Sequence, residues 1–155
     1  MRINAFVTAI RAAVFGAAVL AAGSAMAFER TPYTNALVAE ARETGRPYIV
    51  YVHADWCTTC QAQDRVLETL VDDPRFANLL ILTVDYDTKR NLMMLFNVPD
   101  RSIFVAFSGA TELGRSVYDT TPEGITAFLQ LAVDGSPNYA PPATAAPAPA
   151  PAPGA

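Results

Sequence analysis

Two cysteines separated by two residues provide the clearest chemistry in this chain. Cys57 and Cys60 follow closely on the apolar run 48–52, a position typical of the junction between a strand and a helix. A helix that begins at Cys57 would direct its unpaired backbone N–H groups and its positive dipole end at that sulfur, which favours the thiolate. Cys57 is therefore the predicted nucleophile, acidic and accessible. Cys60, one turn along the same face, is the predicted resolving thiol, buried and less reactive.

Two other uses of the cysteine pair fit the sequence less well. A zinc site takes about four ligands, whereas the whole chain contains 2 cysteines and 1 histidine, His53. A purely structural disulfide is common in exported domains, but a bridge between residues so close in sequence constrains the unfolded chain little. The sequence therefore favours a redox-active dithiol that needs no metal and no other cofactor.

The segment 1–27 has the organisation of an export signal. Arg2 and Arg11 lie before and at the start of an uncharged apolar stretch, and the tripeptide Ala-Met-Ala at 25–27 is a typical cleavage site. We therefore expect a mature chain that begins at Phe28 and works in the periplasm or outside the cell. An uncleaved membrane anchor is the alternative, although the apolar stretch is short for a bilayer span of about 20 residues.

The charge balance argues against nucleic acid and anionic membrane as partners. The chain has 11 basic and 15 acidic side chains and a net charge of −4 at neutral pH. Because Arg2 and Arg11 leave with the predicted signal, nine basic residues remain against fifteen acidic ones, and the net charge falls to −6.

The segment 136–155 is dominated by proline and alanine. Repeated prolines remove backbone donors and exclude helix, so we expect an extended, disordered tail that is dispensable for folding. A role as a spacer or as a contact to the cell envelope is the alternative.

Residues 28–135 are left as one domain of ordinary size. Alternating helical and strand patterns predict the element order αβαβαββα, which implies an α/β fold with a mixed four-stranded sheet flanked by helices in three layers. The predicted helices are 32–44 after the cap Thr31, 57–71, 87–96, and 123–133 after the cap Thr120, and the predicted strands are 48–52, 79–84, 103–107 and 113–118.

This element order, with the motif Trp-Cys-Thr-Thr-Cys at 56–60 after the first strand, resembles the thioredoxin fold family over nearly all of residues 28–135. More narrowly, Ala-Asp-Trp-Cys at 54–57 and Asp-Pro at 73–74 resemble the C-terminal thioredoxin-like domain of the membrane thiol-disulfide interchange reductases. The resemblance implies that Cys57 attacks, that Cys60 resolves, and that Trp56 forms an aromatic shelf beside them.

One departure from the family lies in the loop opposite the cysteines. Thioredoxins usually have a cis-proline there, and a gapless alignment places Ser102 at that position. A cis bond before serine would cost about 2.5–4 kcal/mol, so the Arg101–Ser102 peptide is either trans or a strained cis bond. Because the family grips its substrate through this loop, Arg101 and Ser102 are predicted to line the site. A gapped alignment would make Pro99 the family proline instead.

A second departure lies beneath the active site. Thioredoxins have a buried aspartate there that helps to move the proton of the resolving thiol, and counting back from Trp56 places Tyr51 at that position. His53 and Asp55 are the nearby titratable candidates for proton transfer, since histidine exchanges protons near neutral pH.

The favoured function is an exported oxidoreductase that reduces protein disulfides through Cys57 and Cys60 and is itself reduced by a membrane electron donor. Thr58 and Thr59 offer neither the proline found between the cysteines of typical reductants nor the histidine found in strong oxidants. A disulfide-forming oxidant or isomerase of the same fold is therefore one alternative. A thioredoxin-like module that binds a partner protein without catalysis is the other.

Overall fold

The computed structural model describes residues 28–140, so the predicted export signal and most of the predicted tail lie outside the described part. Within it, the strands are β1 (Glu29–Pro32), β2 (Tyr48–His53), β3 (Leu80–Asp85), β4 (Ile103–Ser108) and β5 (Thr111–Val117). The α-helices are α1 (Asn35–Thr44), α2 (Thr58–Leu70), α3 (Arg90–Leu95) and α4 (Pro122–Asp134), and a short 3-10 turn covers Pro74–Phe76.

The strands form one mixed sheet in the order β1-β3-β2-β4-β5. β1 and β2 run parallel to β3 on its two sides, whereas β4 pairs antiparallel with β2 and with β5. The predicted α/β fold is therefore confirmed, with five strands in place of the expected four. The central position of β2 matters for the site because α2 begins shortly beyond its end.

The central strand β2 is buried on both faces. Ile49 and Tyr51 pack in the hydrophobic cluster that α2 and α4 cover, while Val50 and Val52 pack in the cluster on the opposite face. All four side chains are fully buried. This explains the continuous apolar run, since a strand covered by helices on both faces needs apolar side chains at every position.

The predicted first helix is wrong at its start. Thr31 and Pro32, expected as cap and first helical residue, belong to β1, and α1 begins at Asn35 after the cap Thr34. Pairing of β1 with β3 outweighs the local sequence signal, because it joins the edge of the sheet along the whole strand. The predicted end at residue 44 is confirmed, and Gly45 caps the helix with a φ of +74°, which suits a residue without a Cβ.

The boundaries of α3 and α4 also differ from the prediction. α3 is shorter than expected at both ends, and before it the Asp85 carboxylate accepts the backbone N–H of Thr88 at 2.7 Å, which forms a turn. The cap of α4 is Thr121 rather than Thr120. Across residues 28–140, no helix is both long and apolar enough to cross a membrane.

Candidate active site

Cys57 is the N-terminal cap of α2, so its side chain lies where the helix presents unpaired backbone N–H groups. Its Sγ accepts the backbone N–H of Cys60 at 3.3 Å. The helix continues for 13 residues to Leu70, and its aligned peptide dipoles place positive potential at this sulfur. The helix therefore starts at the cysteine pair, as the sequence indicates.

Both cysteines are buried, which differs from the expected accessibility of Cys57. Cys57 is 4 % exposed and Cys60 is 0 % exposed. Burial raises the pKa of a thiol, but for Cys57 hydrogen bonds from Ser102, Cys60 and Arg101 outweigh it and lower the pKa to about 7. For Cys60 burial dominates and raises the pKa. The two thiols therefore differ mainly in acidity and only slightly in exposure.

Alkylation of the reduced protein should label Cys57 before Cys60, because the thiolate is the reactive form and Cys57 has the lower pKa. The labelling rate of Cys57 should rise with pH through a midpoint of about 7, and Cys60 should react more slowly and at higher pH. Peptide mass spectrometry after short iodoacetamide pulses measures both rates. Faster labelling of Cys60 at neutral pH would show that Cys60 is the attacking thiol and Cys57 the resolving one.

Ser102 lies between the two cysteines. Its Oγ is 3.1 Å from Cys57 Sγ and 3.0 Å from Cys60 Sγ, and the residue is 1 % exposed. A single hydroxyl in this position can donate its proton to one sulfur while it accepts from the other. The peptide bonds before Ser102 and before Pro99 are both trans. The contact with both sulfurs supports the gapless alignment, which places Ser102 rather than Pro99 opposite the cysteines.

The backbone of Ser102 adopts a left-handed conformation with φ of +59°, which costs a residue with a side chain about 1–2 kcal/mol. Three hydrogen bonds hold it there. The N–H donates to Val52 O at 2.8 Å, and the carbonyl accepts from Tyr118 N at 3.0 Å and from Gln63 Nε2 at 3.2 Å. The surrounding structure therefore fixes the backbone of Ser102 in this conformation.

Arg101 and Trp56 form the outer rim of the site. The Arg101 guanidinium lies 4.8 Å from the Trp56 ring centroid and 5.7 Å from that of Tyr86, and its Nη1 pairs with Asp100 Oδ1 at 2.8 Å. Trp56 is 57 % exposed, and its Nε1 donates to Asp87 Oδ2 at 2.8 Å. These side chains offer substrate an exposed aromatic surface with a cation beside it, and their predicted role in substrate binding stays a prediction.

His53 and Asp55, the predicted proton-transfer residues, lie in a different cluster. His53 Nε2 is 2.9 Å from Asp64 Oδ2, and His53 Nδ1 is 3.6 Å from Asp55 Oδ1. Arg30 Nη1 contacts the other oxygen of Asp64 at 2.9 Å. Burial acts to raise the pKa of Asp64, but its bonds to His53 and Arg30 hold that pKa below the ordinary value. Among residues 28–140, neither His53 nor Asp55 hydrogen-bonds a cysteine sulfur.

Gln63 and Tyr51 connect the cysteines to the core, and sequence reasoning missed the part that Gln63 plays. The Tyr51 hydroxyl donates to Gln63 Oε1 at 3.0 Å, and Gln63 Nε2 donates to the Ser102 carbonyl and to Asp119 O at 2.9 Å. Gln63 is 0 % exposed. Its position three residues after Cys60, on the buried face of α2, is the signal that could have identified it. Burial raises the pKa of Tyr51, which keeps its hydroxyl protonated and able to donate.

The described part of the chain, 28–140, contains no group of three or more His, Cys, Asp or Glu side chains arranged to hold a metal ion. What the arrangement offers is an acidified sulfur, a second sulfur of raised pKa, and one hydroxyl between them. These groups are suited to thiol–disulfide exchange, in which a thiolate attacks and a neighbouring thiol completes the bridge.

The fold and the cysteine pair together define a thioredoxin-like protein with a dithiol at the start of its second helix. A family model described as thioredoxin-like matches residues 30–137, so this chain belongs to the thioredoxin-like family. Among curated proteins, no significant match exists.

The chain is also similar to several solved structures. Trxlp from Edwardsiella tarda EIB202 shares 32 % identity over 65 % of this chain and 98 % of its own, with a TM-score of 0.63. The thioredoxin Mala s 13 of Malassezia sympodialis shares 16 % identity over 69 % of this chain and 94 % of its own, with a TM-score of 0.58. Thioredoxin O2 of Arabidopsis thaliana shares 19 % identity over 68 % and 93 %, with a TM-score of 0.56. The two thioredoxins are similar in fold alone.

Proposed function

We propose that this protein is an exported thiol–disulfide oxidoreductase that reduces protein disulfides through Cys57 and Cys60. The observation that carries the proposal is the asymmetry of the pair: the capping sulfur of Cys57 has a pKa of about 7, and the pKa of the buried Cys60 is raised. At neutral pH a large share of Cys57 is thiolate, while Cys60 keeps its proton until it is needed.

The reaction runs in two exchange steps. The Cys57 thiolate attacks one sulfur of a client disulfide, forms a mixed disulfide and expels the other client sulfur as a thiolate. Cys60 then attacks Cys57 Sγ, the Cys57–Cys60 bond forms, and the second client sulfur leaves. The client gains two electrons and the dithiol loses two, so each cycle requires a dithiol donor to reduce the bridge again.

The acidity of Cys57 supports the reducing direction. A thiolate stabilised very strongly makes the reduced form stable and the protein a strong oxidant, as in family members with an attacking thiol of pKa about 3.5, whereas thioredoxin has a value of about 7. The pKa of Cys57, about 7, is similar to the latter. The Ala-Asp-Trp-Cys segment at 54–57, with its resemblance to membrane-linked reductases, supports the same direction.

Export and a membrane electron donor are proposed from the sequence of residues 1–27 and from the same resemblance. The periplasm is an oxidising compartment, where a reducing dithiol needs a dedicated source of electrons. The clients proposed are proteins with disulfide bonds, and the exposed Trp56 and the half-buried Arg101 form the rim that would contact them.

Equilibration of the mature protein with glutathione redox buffers should give a midpoint potential near or below about −230 mV. Alkylation with a maleimide that shifts electrophoretic mobility measures the oxidised fraction. Cys60→Ala, which can form a mixed disulfide with glutathione but cannot close the bridge, is the control that separates glutathionylation from formation of the Cys57–Cys60 bond. A midpoint potential of about −120 mV would show that the protein is an oxidant instead. If the wild type undergoes no thiol–disulfide exchange at all, the results would favour the alternative of a thioredoxin-like module that binds a partner protein without catalysis.

A further inference from the structure

In the described part of the chain, 28–140, no carboxylate is hydrogen-bonded to the sulfur of the resolving thiol Cys60 to accept its proton. Ser102 bridges this sulfur to that of Cys57, with its Oγ 3.0 Å from Cys60 Sγ and 3.1 Å from Cys57 Sγ. His53 and Asp55 bond elsewhere, and Asp64 is already paired with His53 and Arg30. Burial raises the pKa of Cys60 and a backbone hydrogen bond from Ala54 acts to lower it, but the hydrogen bond from Ser102 lowers it more, and the hydroxyl can turn from one sulfur to the other.

We propose that the Ser102 hydroxyl is a switchable donor that stabilises whichever of the two sulfurs is the thiolate. In the reduced protein it accepts from the Cys60 thiol and donates to the Cys57 thiolate. In the mixed disulfide Cys57 Sγ carries no charge, and rotation about the Cβ–Oγ bond turns the same proton towards Cys60. This inference rests on the proposed exchange chemistry and assigns Ser102 a catalytic contact with both reacting sulfurs.

The step balances without a protein base. The client thiolate expelled in the first attack takes up the proton that Cys60 loses, through water. Cys60 Sγ then forms its bond to Cys57 Sγ, and the electron pair of the broken bond leaves on the second client sulfur. Ser102 keeps its proton throughout, because it only changes the sulfur to which it donates.

The backbone geometry indicates that this placement is specific. A serine at φ of +59° is held against its own preference by the bonds to Val52, Tyr118 and Gln63, and strained residues of this kind persist where the surroundings over-determine them. With 1 % of its surface exposed, Ser102 has almost no water to compete for the hydroxyl. The near-equal distances to both sulfurs are the geometry that a switch requires.

A chromogenic aromatic disulfide separates the two steps, since attack by Cys57 releases the first aromatic thiolate and resolution by Cys60 releases the second. We compare wild type, Ser102→Ala and Ser102→Gly by stopped flow from pH 5 to pH 10. Both variants lack the hydroxyl, but glycine adopts a positive φ without strain, so it remains a test if the alanine variant is unstable. Cys60→Ala identifies the second phase by abolishing it. Ser116→Ala, on β5, is the serine control.

Loss of a hydrogen bond to a charged sulfur should raise the pH midpoint of both phases by about one unit in both Ser102 variants. At pH 7 the second phase should slow by about tenfold, so that the mixed disulfide accumulates, while Ser116→Ala matches the wild type. If the midpoint of the first phase alone shifts, Ser102 lowers the pKa of Cys57 but does not act on Cys60, and the proposed switch is wrong. If neither midpoint shifts, the proposal is wrong for both sulfurs. If the wild type releases no aromatic thiolate, the proposed function itself fails.

Discussion

Replacing Ser102 by proline should destabilise the domain by about 3 kcal/mol or more. Proline fixes φ near −65° and has no N–H, whereas Ser102 has φ of +59° and donates to Val52 O at 2.8 Å. The variant would have to rebuild the loop and leave a buried carbonyl without its donor. The thermal midpoint should fall by more than about 10 °C, as measured by circular dichroism.

Ser102→Gly is the matched control for the proline variant, since it keeps the N–H and accepts a positive φ. It should lower the thermal midpoint much less than proline does. A proline variant as stable as the wild type would contradict the left-handed backbone of Ser102 and its hydrogen bond to Val52.

Cys60→Ala should trap client proteins on Cys57 as mixed disulfides, whereas Cys57→Ala should trap few or none. In Cys60→Ala the attacking thiolate survives, because the donor at 3.3 Å from Cys57 Sγ is the backbone N–H of residue 60, which alanine retains. In Cys57→Ala the remaining thiol is 0 % exposed and its pKa is raised by burial. Non-reducing electrophoresis followed by mass spectrometry counts the adducts.

The double variant that lacks both cysteines is the background for the trapping experiment. Equal yields of adducts from the two single variants would contradict the order of attack and resolution. Yields at background for both, together with a wild type that turns over no disulfide, would favour the alternative of a partner-binding module.

Local sequence patterns predicted the cysteine site because every signal there agrees. A continuous apolar strand, a pair of cysteines at helical spacing and apolar residues such as Val66 and Leu67 at the following turns all require a helix that starts near Cys57. The element order and the α/β class follow from the same patterns. Such agreement between local preference and tertiary structure is what makes a segment predictable.

The start of the domain was mispredicted because a local signal and a tertiary contact disagree. Thr31 and Pro32 match the preferences of a helix start, yet Tyr33 N donates to Thr83 O in β3 and Glu29 N to Leu79 O just before it. A strand of 4 residues is too short to show alternation, so its existence depends on a partner some 50 residues away in sequence. Pairing with such a distant segment cannot be recognised from the sequence of the strand itself.

The support of the site was missed for another reason. Gln63 is polar, and a polar residue on a helix is normally assigned to the solvent face; only the three-dimensional positions of Ser102 and Tyr51 show what it contacts. The positive φ of Ser102 is likewise invisible in sequence, because left-handed backbone is predictable mainly at glycine, asparagine and aspartate. Alignment to the family located Ser102, but not its hydroxyl between the sulfurs.

The edge strand β1 also bears on self-association. An open edge offers unpaired backbone groups on which another chain can add a strand and begin to aggregate. Glu29 N and Tyr33 N point inward to β3, so by the alternation of a strand the amide position of Pro32 points outward, where proline supplies no donor. Together with the charge of Arg30, the missing donor at Pro32 makes this edge a poor template for the addition of a strand from another molecule.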